Sequence, residues 1–311
     1  MNKHGHTGKG PPGEPLDRLR SYLLSGQVIE AKPLLPGLYL VATPIGNLGD
    51  ITLRGLETLA AADLIACEDT RITHRLLERY GIATPLSPYH DHNAATVRPK
   101  ILSRLAESAA VALVSDAGTP LISDPGYKLV REAQAAGHAV TSVPGPSSVL
   151  AALGAAGLPT DRFFFEGFLP PKQTARRARI GELADVQATL VLFEAGPRVA
   201  ATLADLVAGL GDRDAAICRE LTKLHEEIRR SDLSALATAY ADGAETRGEF
   251  VIVIAPPAAD AAVPNTEDVD GLLRQALSRA SLKDAVSAVA EATGLGRREL
   301  YQRALALSKG T

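Results

Sequence analysis

Apolar and polar positions settle into a repeating rhythm from Gly37 onward. Short apolar runs at Leu38–Ala42, Leu64–Cys67, Val111–Ser115 and Ala139–Val143 alternate with helix-length segments at 53–61, 70–79, 94–107 and 125–136. Runs of this length between helical stretches predict strands covered on both faces, hence a largely parallel, doubly wound sheet. The segment "VPGPSS", Val143–Ser148, closes this first α/β domain and turns into a helix. A second α/β rhythm follows, with strand-like runs at Arg162–Glu166, Thr189–Phe193, Ala215–Cys218 and Phe250–Ala255 and helices near 173–184 and 197–209. The Pro/Ala-rich stretch "APPAADAAVPNTED" reads as a linker. Beyond it, 268–279, 281–292 and 296–308 carry helical spacing broken at "TGLG", and the last two predict a helix-turn-helix. The expected organisation is therefore a mostly disordered tail at 1–36, domains at 37–148 and 149–256, and a small C-terminal helical module at 266–311.

Composition narrows the function classes. The chain is 46% apolar with a formal charge of −3, so it predicts globular cores, and any nucleic-acid contact must come from local basic patches. Cys67 and Cys218 each end an apolar run, which suits buried thiols in a reducing compartment and argues against a disulfide or metal framework. No apolar stretch is long enough to span a bilayer and no signal-peptide pattern opens the chain, so the expected address is the cytoplasm.

The chemistry is expected in loops that follow strands. "ATPIGNLGD", Ala42–Asp50, bares backbone at Ile45-Gly46-Asn47 where an open α/β sheet places ligands, although an ordinary strand-to-helix turn explains it equally. "SDAGTPLISDPG", Ser115–Gly126, holds two acidic turns whose glycines admit a ligand close to the main chain and whose carboxylates accept bonds from a ribose or ammonium group. In "VPGPSS", Ser147 and Ser148 offer hydroxyls to a ligand or cap the next helix. Three such loops in one domain predict one elongated small-molecule site.

Charged candidates lie nearby. Glu68, Asp69 and Arg71 head a predicted helix, where N-capping competes with a functional role. His90 and His92, in "YHDHN", lack a third distant ligand of metal-site spacing and suit proton handling or RNA contact better than metal. Glu226 is a further acid of this kind. "KQTARRAR", with Lys172, Arg176, Arg177 and Arg179 and no acid, is a candidate for phosphate contacts, with a solvated helix face as the alternative. Arg297, Arg298, Arg303 and Lys309 form a weaker patch on the terminal helices.

These stretches, read in order, carry a resemblance. "TPIGNLGDITLR", "EDTR", "YHDHN", "SDAGTPLISDPG", "VPGPSS", "GFLPPK" and "RELTKLHEEI" resemble the ribosomal RNA small subunit methyltransferase I family of the tetrapyrrole methylase superfamily, over about 37–255. The tail "LKDAVSAVAEATGLGRRELYQRAL" is similar to that family's C-terminal helical module. The resemblance implies a two-domain tetrapyrrole-methylase-like fold, S-adenosylmethionine as donor, the 2′-hydroxyl of a cytidine in the decoding region of 16S rRNA as acceptor, and a homodimer. It also implies a cofactor cleft between the domains lined by Pro44, Asp116, Gly118, Ile122, Ser147 and Ser148, with Phe193 and Leu221 from later strands. Methyl transfer from a sulfonium chiefly requires alignment, and a weakly acidic ribose hydroxyl benefits from a nearby base, for which Glu68, Arg71, His90 and His92 are the candidates.

The chain departs from the family pattern at Gly196 in "FEAGPR", at "RRSDL" after Arg229, and at Arg247 in "TRGEF". These departures touch the expected RNA fit and leave the cofactor loops intact. Two other readings stay open: a tetrapyrrole or other small-molecule methyltransferase, and a non-catalytic RNA-binding protein of ribosome assembly.

Overall fold

A computed structural model describes residues 20–257, 266–293 and 297–309. Residues 1–19 of the expected tail, 258–265 of the linker and 294–296 of the "TGLG" break lie outside the described residues. Residues 20–36 correct the expectation of disorder. Strands β1 (Ser21–Leu24) and β2 (Gln27–Glu30) form an antiparallel hairpin. Its two-residue loop, Ser25-Gly26, has φ of 51° and 80°, the left-handed pair a tight hairpin requires. Tyr22 is buried, and the backbone N–H of Leu23 donates to the Tyr80 carbonyl at 2.7 Å. The apolar alternation on either side of a Ser-Gly pair was the available signal.

The first domain runs β3 (Gly37–Val41), α1 (Leu53–Ala61), β4 (Leu64–Cys67), α2 (Thr70–Arg79), β5 (Leu86–Pro88), α3 (Ala94–Ala106), β6 (Ala110–Val114), α4 (Tyr127–Ala135) and β7 (Val140–Val143). The strands form one fully parallel sheet ordered β5-β4-β6-β3-β7. Successive side chains of β6 enter opposite cores, Val111 and Leu113 on one face and Ala112 and Val114 on the other. This explains the unbroken apolar runs, since each strand is covered on both faces.

The second domain runs α5 (Ser148–Ala156), β8 (Phe163–Phe168), α6 (Gln173–Leu183), β9 (Thr189–Ala195), α7 (Val199–Leu210), β10 (Asp214–Arg219), β11 (Glu227–Asp232), α8 (Leu233–Ala241) and β12 (Glu249–Ile254). Its sheet, ordered β11-β10-β12-β9-β8, is antiparallel except for the β8–β9 pair. Leu190, Leu192, Ile217, Ile252 and Ile254 face the core shared with α6, α7 and α8, whereas Val191, Ala216, Cys218 and Val253 face α5. The α5 helix thus starts at a loop of the first sheet and is buried on the second. Strand β11 and helix α8 were not expected, because an edge strand carrying Glu227, Arg229 and Arg230 lacks the apolar run that marks a central strand.

The C-terminal module consists of α9 (Thr266–Leu277), α10 (Leu282–Thr293) and α11 (Arg297–Lys309) around its own small core of Val269, Leu273, Val286, Val289, Leu300 and Ala304. No helix among the described residues is long and apolar enough to cross a membrane.

Candidate functional site

The carboxyl ends of β3, β6 and β7 lie side by side, and the loops that leave them are bonded into one floor. Thr43 and Gly118 exchange backbone hydrogen bonds at 2.9 and 3.0 Å, and the Thr119 hydroxyl donates to the Pro146 carbonyl at 3.1 Å. Gly118 sits at φ 78°, and a Cβ there would meet the Ile45 side chain at 3.3 Å. Gly145 packs against Ala42 in the same way, with 3.1 Å to the Ala42 Cβ. Ser147 caps α5 by accepting from the Leu150 N–H at 3.4 Å.

The second domain closes this floor into a cleft of about 330 Å³, within the roughly 300–1,000 Å³ typical of small-molecule sites. Of the residues named from the resemblance, Gly118, Ile122, Ser147, Ser148, Phe193 and Leu221 line it. Phe193 meets Phe165 and Phe168 edge-to-face, with ring centroids 4.9 and 5.6 Å away, so the apolar wall is held rigidly. Pro44 is buried in its loop and does not reach the cleft wall. Asp116 lies behind the wall, where its Oδ1 accepts from the Asp69 N–H at 2.9 Å and ties the loop after β4 to the loop after β6.

Gly46 has a different role from the one its position in the opening loop suggested. A Cβ on it would lie 2.4 Å from Lys223 Cγ and 3.0 Å from Thr222 Oγ1, and the Asn47 N–H donates to that Thr222 hydroxyl at 3.2 Å. The opening loop therefore holds the second domain's β10–β11 loop, while Ile45 beside it faces the cleft. Non-glycine residues take left-handed backbone in both cleft loops: Leu121 (77°) and Ser123 (65°) after β6, Glu220 (51°) and Thr222 (66°) after β10. Such conformations cost about 1–3 kcal/mol each and concentrate where a ligand site dictates the backbone.

Asp124, carried by the second of the two acidic turns, also lines the cleft, whereas sequence reasoning missed Lys223 and Glu249. Lys223 bridges Glu220 and Glu249 at 2.9 and 2.8 Å, contacts made across 3 and 26 residues that no local spacing signals. Asp124 follows the strained loop. Burial pushes its carboxyl up to about 6, opposed by a hydrogen bond from Ser115 and reinforced by the charges of Glu68 and Asp116. Burial also raises Glu68, with Asp116 and Asp91 adding to the effect and His90 opposing it. An acid whose folded-state pKa is raised holds more protons folded than unfolded, so its contribution to stability falls as pH rises from about 4 to about 6. Asp124→Asn removes that loss. Melting temperatures of wild type and variant should therefore diverge in the variant's favour between pH 4 and pH 7, and parallel pH profiles would count against the burial of this carboxyl.

The four catalytic candidates sit outside the cleft wall. Asp69 is the N-cap of α2, accepting from the Arg71 N–H at 2.8 Å, and the Arg71 guanidinium folds back onto the Asp69 carboxylate at 2.5 Å. That pairing holds the Asp69 carboxyl down at about 2. Glu68 lies beside the Asp116 tether, close enough to His90 to feel its charge. The rings of His90 and His92 are 6.0 Å apart, and the buried His90 Nδ1 has no partner. Glu226, from the facing domain, accepts from the Thr222 N–H at 2.6 Å.

The basic run at 172–179 is corrected in its central member. Arg176 is buried, its guanidinium 2.6 Å from the Asp205 carboxylate, and is therefore unavailable to a phosphate. Arg177 binds the same carboxylate at 2.7 Å, and Arg179 binds Glu166 at 2.7 Å and Glu182 at 2.6 Å. Lys172 remains exposed.

Two of the three departures in the second domain have a structural reason, and nothing in the structure explains Arg247. A Cβ at Gly196 would lie 1.7 Å from the Thr246 carbonyl oxygen, so glycine is what lets the Thr246-Arg247-Gly248 turn pack there. In "RRSDL", Arg230 Nε donates to the Ala155 and Ala156 carbonyls at 3.0 and 3.1 Å, capping the carboxyl end of α5.

Residues 37–237 match the family model of Tetrapyrrole (Corrin/Porphyrin) Methylases, and 263–308 match the RsmI C-terminal HTH domain. The chain is 51% identical over 280 residues to the ribosomal RNA small subunit methyltransferase I of Mesorhizobium japonicum, covering 90% of this chain and 95% of that protein. It is 48% identical over 271 residues to the protein of the same name from Xylella fastidiosa, covering 86% and 98%. Among solved structures, a cobalt precorrin-4 methyltransferase of cobalamin biosynthesis aligns with TM-score 0.53 at 20% identity, covering 70% of this chain and 94% of that one. A diphthine synthase aligns with TM-score 0.55 at 19% identity, covering 70% and 89%. At these identities the two structures share the fold alone.

Proposed function

Because the chain belongs to the tetrapyrrole methylase family, and within it to the ribosomal RNA small subunit methyltransferase I group, we propose that it methylates the ribose 2′-hydroxyl of a cytidine in the decoding region of 16S rRNA. The donor is S-adenosylmethionine, and the enzyme acts as a cytoplasmic homodimer. The observation that carries this reading is the interdomain cleft, where residues quoted from separate motifs converge on one wall.

The cleft suits a sulfonium nucleoside. Ile122, Leu221 and Phe193 provide apolar cover for a flat base, Ser148 and the main chain at Gly118 offer polar contacts, and Asp124 places a carboxylate for a cationic centre. When bound, S-adenosylmethionine supplies an activated methyl group, which leaves the protein to align the attacking oxygen and exclude water. The bonded floor of loops and the rigid aromatic wall serve alignment. Glu68, whose carboxyl is raised by burial and neighbouring acids, and His90, with an unpartnered Nδ1, are the groups to accept the ribose proton. Lys172 faces solvent as a phosphate contact of this proposal, with Arg177 and Arg179 contributing from within their ion pairs.

Ionisation of Asp124 favours a cationic donor, so donor affinity measured by calorimetry should rise between pH 5 and pH 7.5. Asp116→Ala frees the Asp69 N–H and loosens the β4 and β6 loops, and should weaken donor binding by roughly tenfold, the cost of one hydrogen bond to a charged group. Unchanged affinity would remove Asp116 from the site. The acceptor is tested by mass-spectrometric mapping of ribose methylation on 16S rRNA from cells with and without the protein. A missing methyl group at a decoding-region cytidine is expected, and an identical modification map would refute the assignment.

A further inference from the structure

The two basic stretches of this chain meet different fates in the fold. In the 172–179 run every arginine is engaged by a carboxylate. In the C-terminal module, by contrast, Lys283 of α10 and Arg297 and Arg298 of α11 line one groove of about 360 Å³ together with Ser287, Tyr301 and Gln302. Among the described residues no acid lines this groove, and no ion pair involves Lys283, Arg297 or Arg298. Two acids of the module with described side chains are engaged elsewhere: Asp270 pairs with Arg303 at 3.0 Å, and Asp284 accepts from the Ser281 hydroxyl at 2.6 Å. Among the described residues, three cations thus share one surface.

Placement adds to charge. Arg297 and Arg298 begin α11, where the first backbone N–H groups lack helical acceptors and the helix dipole is positive, so side chains and backbone favour an anion at the same end. Tyr301 lies one turn further along and is 45% exposed, although it is a large aromatic with the module's own core available behind it. An exposed ring beside free cations matches the pairing of stacking platform and phosphate contacts that binds single-stranded nucleic acid.

We propose that the α10–α11 groove is the surface that grips the substrate RNA, with Lys283, Arg297 and Arg298 on successive phosphates and Tyr301 stacked against an unpaired base. This rests on the rRNA reading above and adds to it the place where the strand is held, a groove that shares no lining residue with the cleft. The 172–179 run becomes a structural feature of the second domain, with Lys172 and the Asp205-bound Arg177 as its exposed cations.

The test uses the full chain and unmethylated small-subunit RNA in filter binding from 50 to 200 mM salt. A Lys283→Ala, Arg297→Ala, Arg298→Ala variant is expected to bind RNA ten- to a hundredfold more weakly, with a salt slope shallower by about 2, since each lost contact to a single strand removes about 0.7. Tyr301→Ala should cost roughly tenfold with the slope unchanged. Lys172→Ala should cost less than either. Wild-type affinity and slope in the triple variant would overturn the proposal, as would equal competition by unlabelled duplex DNA. Calorimetry with S-adenosylmethionine separates the two claims. Loss of RNA binding in the variants with donor affinity intact supports the groove, whereas a wild-type protein that binds RNA through the groove but takes no donor defeats the methyltransferase reading alone.

Discussion

Asp205→Ala should lower the stability of the protein by about 3–5 kcal/mol, the usual result of removing one partner from a buried ion pair. Asp205 is the only carboxylate in contact with Arg176 among the described residues, at 2.6 Å, and the two side chains are 1% and 6% exposed. The substitution leaves a guanidinium buried between α6 and α7 with just the Pro171 carbonyl, 3.5 Å away, as a remaining partner. Burial alone would raise the Asp205 carboxyl. Hydrogen bonds from Arg177 and Arg176 outweigh it and hold the group below the ordinary carboxylate range. A depressed carboxylate contributes stability above its unfolded pKa and loses it as pH falls, so the gap between wild type and variant should close at strongly acidic pH. Urea denaturation at pH 7 and pH 3 measures both quantities. A second variant, Asp205→Ala with Arg176→Leu, should recover most of the loss, because an apolar pair avoids the unpaired charge. A loss below 1 kcal/mol at pH 7 would show that Arg176 reaches solvent and would return it to the list of phosphate contacts.

Gly196→Ala is the second large effect. The added Cβ would sit 1.7 Å from the Thr246 carbonyl oxygen and 2.9 Å from the Thr246 carbonyl carbon. Backbone must move to admit it. The turn that has to move is constrained twice: Arg219 Nη1 donates to the Arg247 carbonyl at 3.2 Å, and Gly248, at φ 106°, is pressed against the Glu220 carboxylate. Overpacking of this sort costs about 1–3 kcal/mol and sometimes more. Because Gly248 and Glu249 line the cleft, the same shift should lower S-adenosylmethionine affinity at least tenfold in protein that remains folded. Thermal melts read the first effect and calorimetry at 10 °C reads the second. A stable variant with wild-type donor affinity would contradict the packing described here.

The same two sites mark where the sequence could be read and where it could not. Central strands were legible because both faces of each are covered, which turns every position apolar and leaves an unbroken run such as Ala110–Val114. Edge elements were not: β11 holds one apolar residue, Ile228, among charged and polar ones, and its Arg230 reaches the end of α5, a partner fixed only by the fold. The 172–179 run looked like a free basic face because, apart from Glu182 just beyond it, its acids Glu166 and Asp205 lie 13 and 28 to 29 positions away. Three-dimensional neighbours decide whether an arginine is a contact or a strut. In the cleft, small-residue loops after strands pointed to Gly118, Ser147 and Ser148, which line it, since close approach requires small residues at turns. The contributions of Lys223 and Glu249 depend on two antiparallel strands arriving beside each other and have no one-dimensional trace.

The course of α5 bears on how this protein can be dissected. Its amino end is capped within the cleft floor, its apolar face belongs to the core of the opposite sheet, and its carboxyl end is clamped by Arg230. A truncation at residue 148 would leave α5 on the second sheet without its Ser147 cap and would part the cleft floor from the wall that closes it, leaving half a binding site in each fragment. The boundary visible in the chain is thus a poor place to cut, and the smallest unit worth expressing spans both sheets.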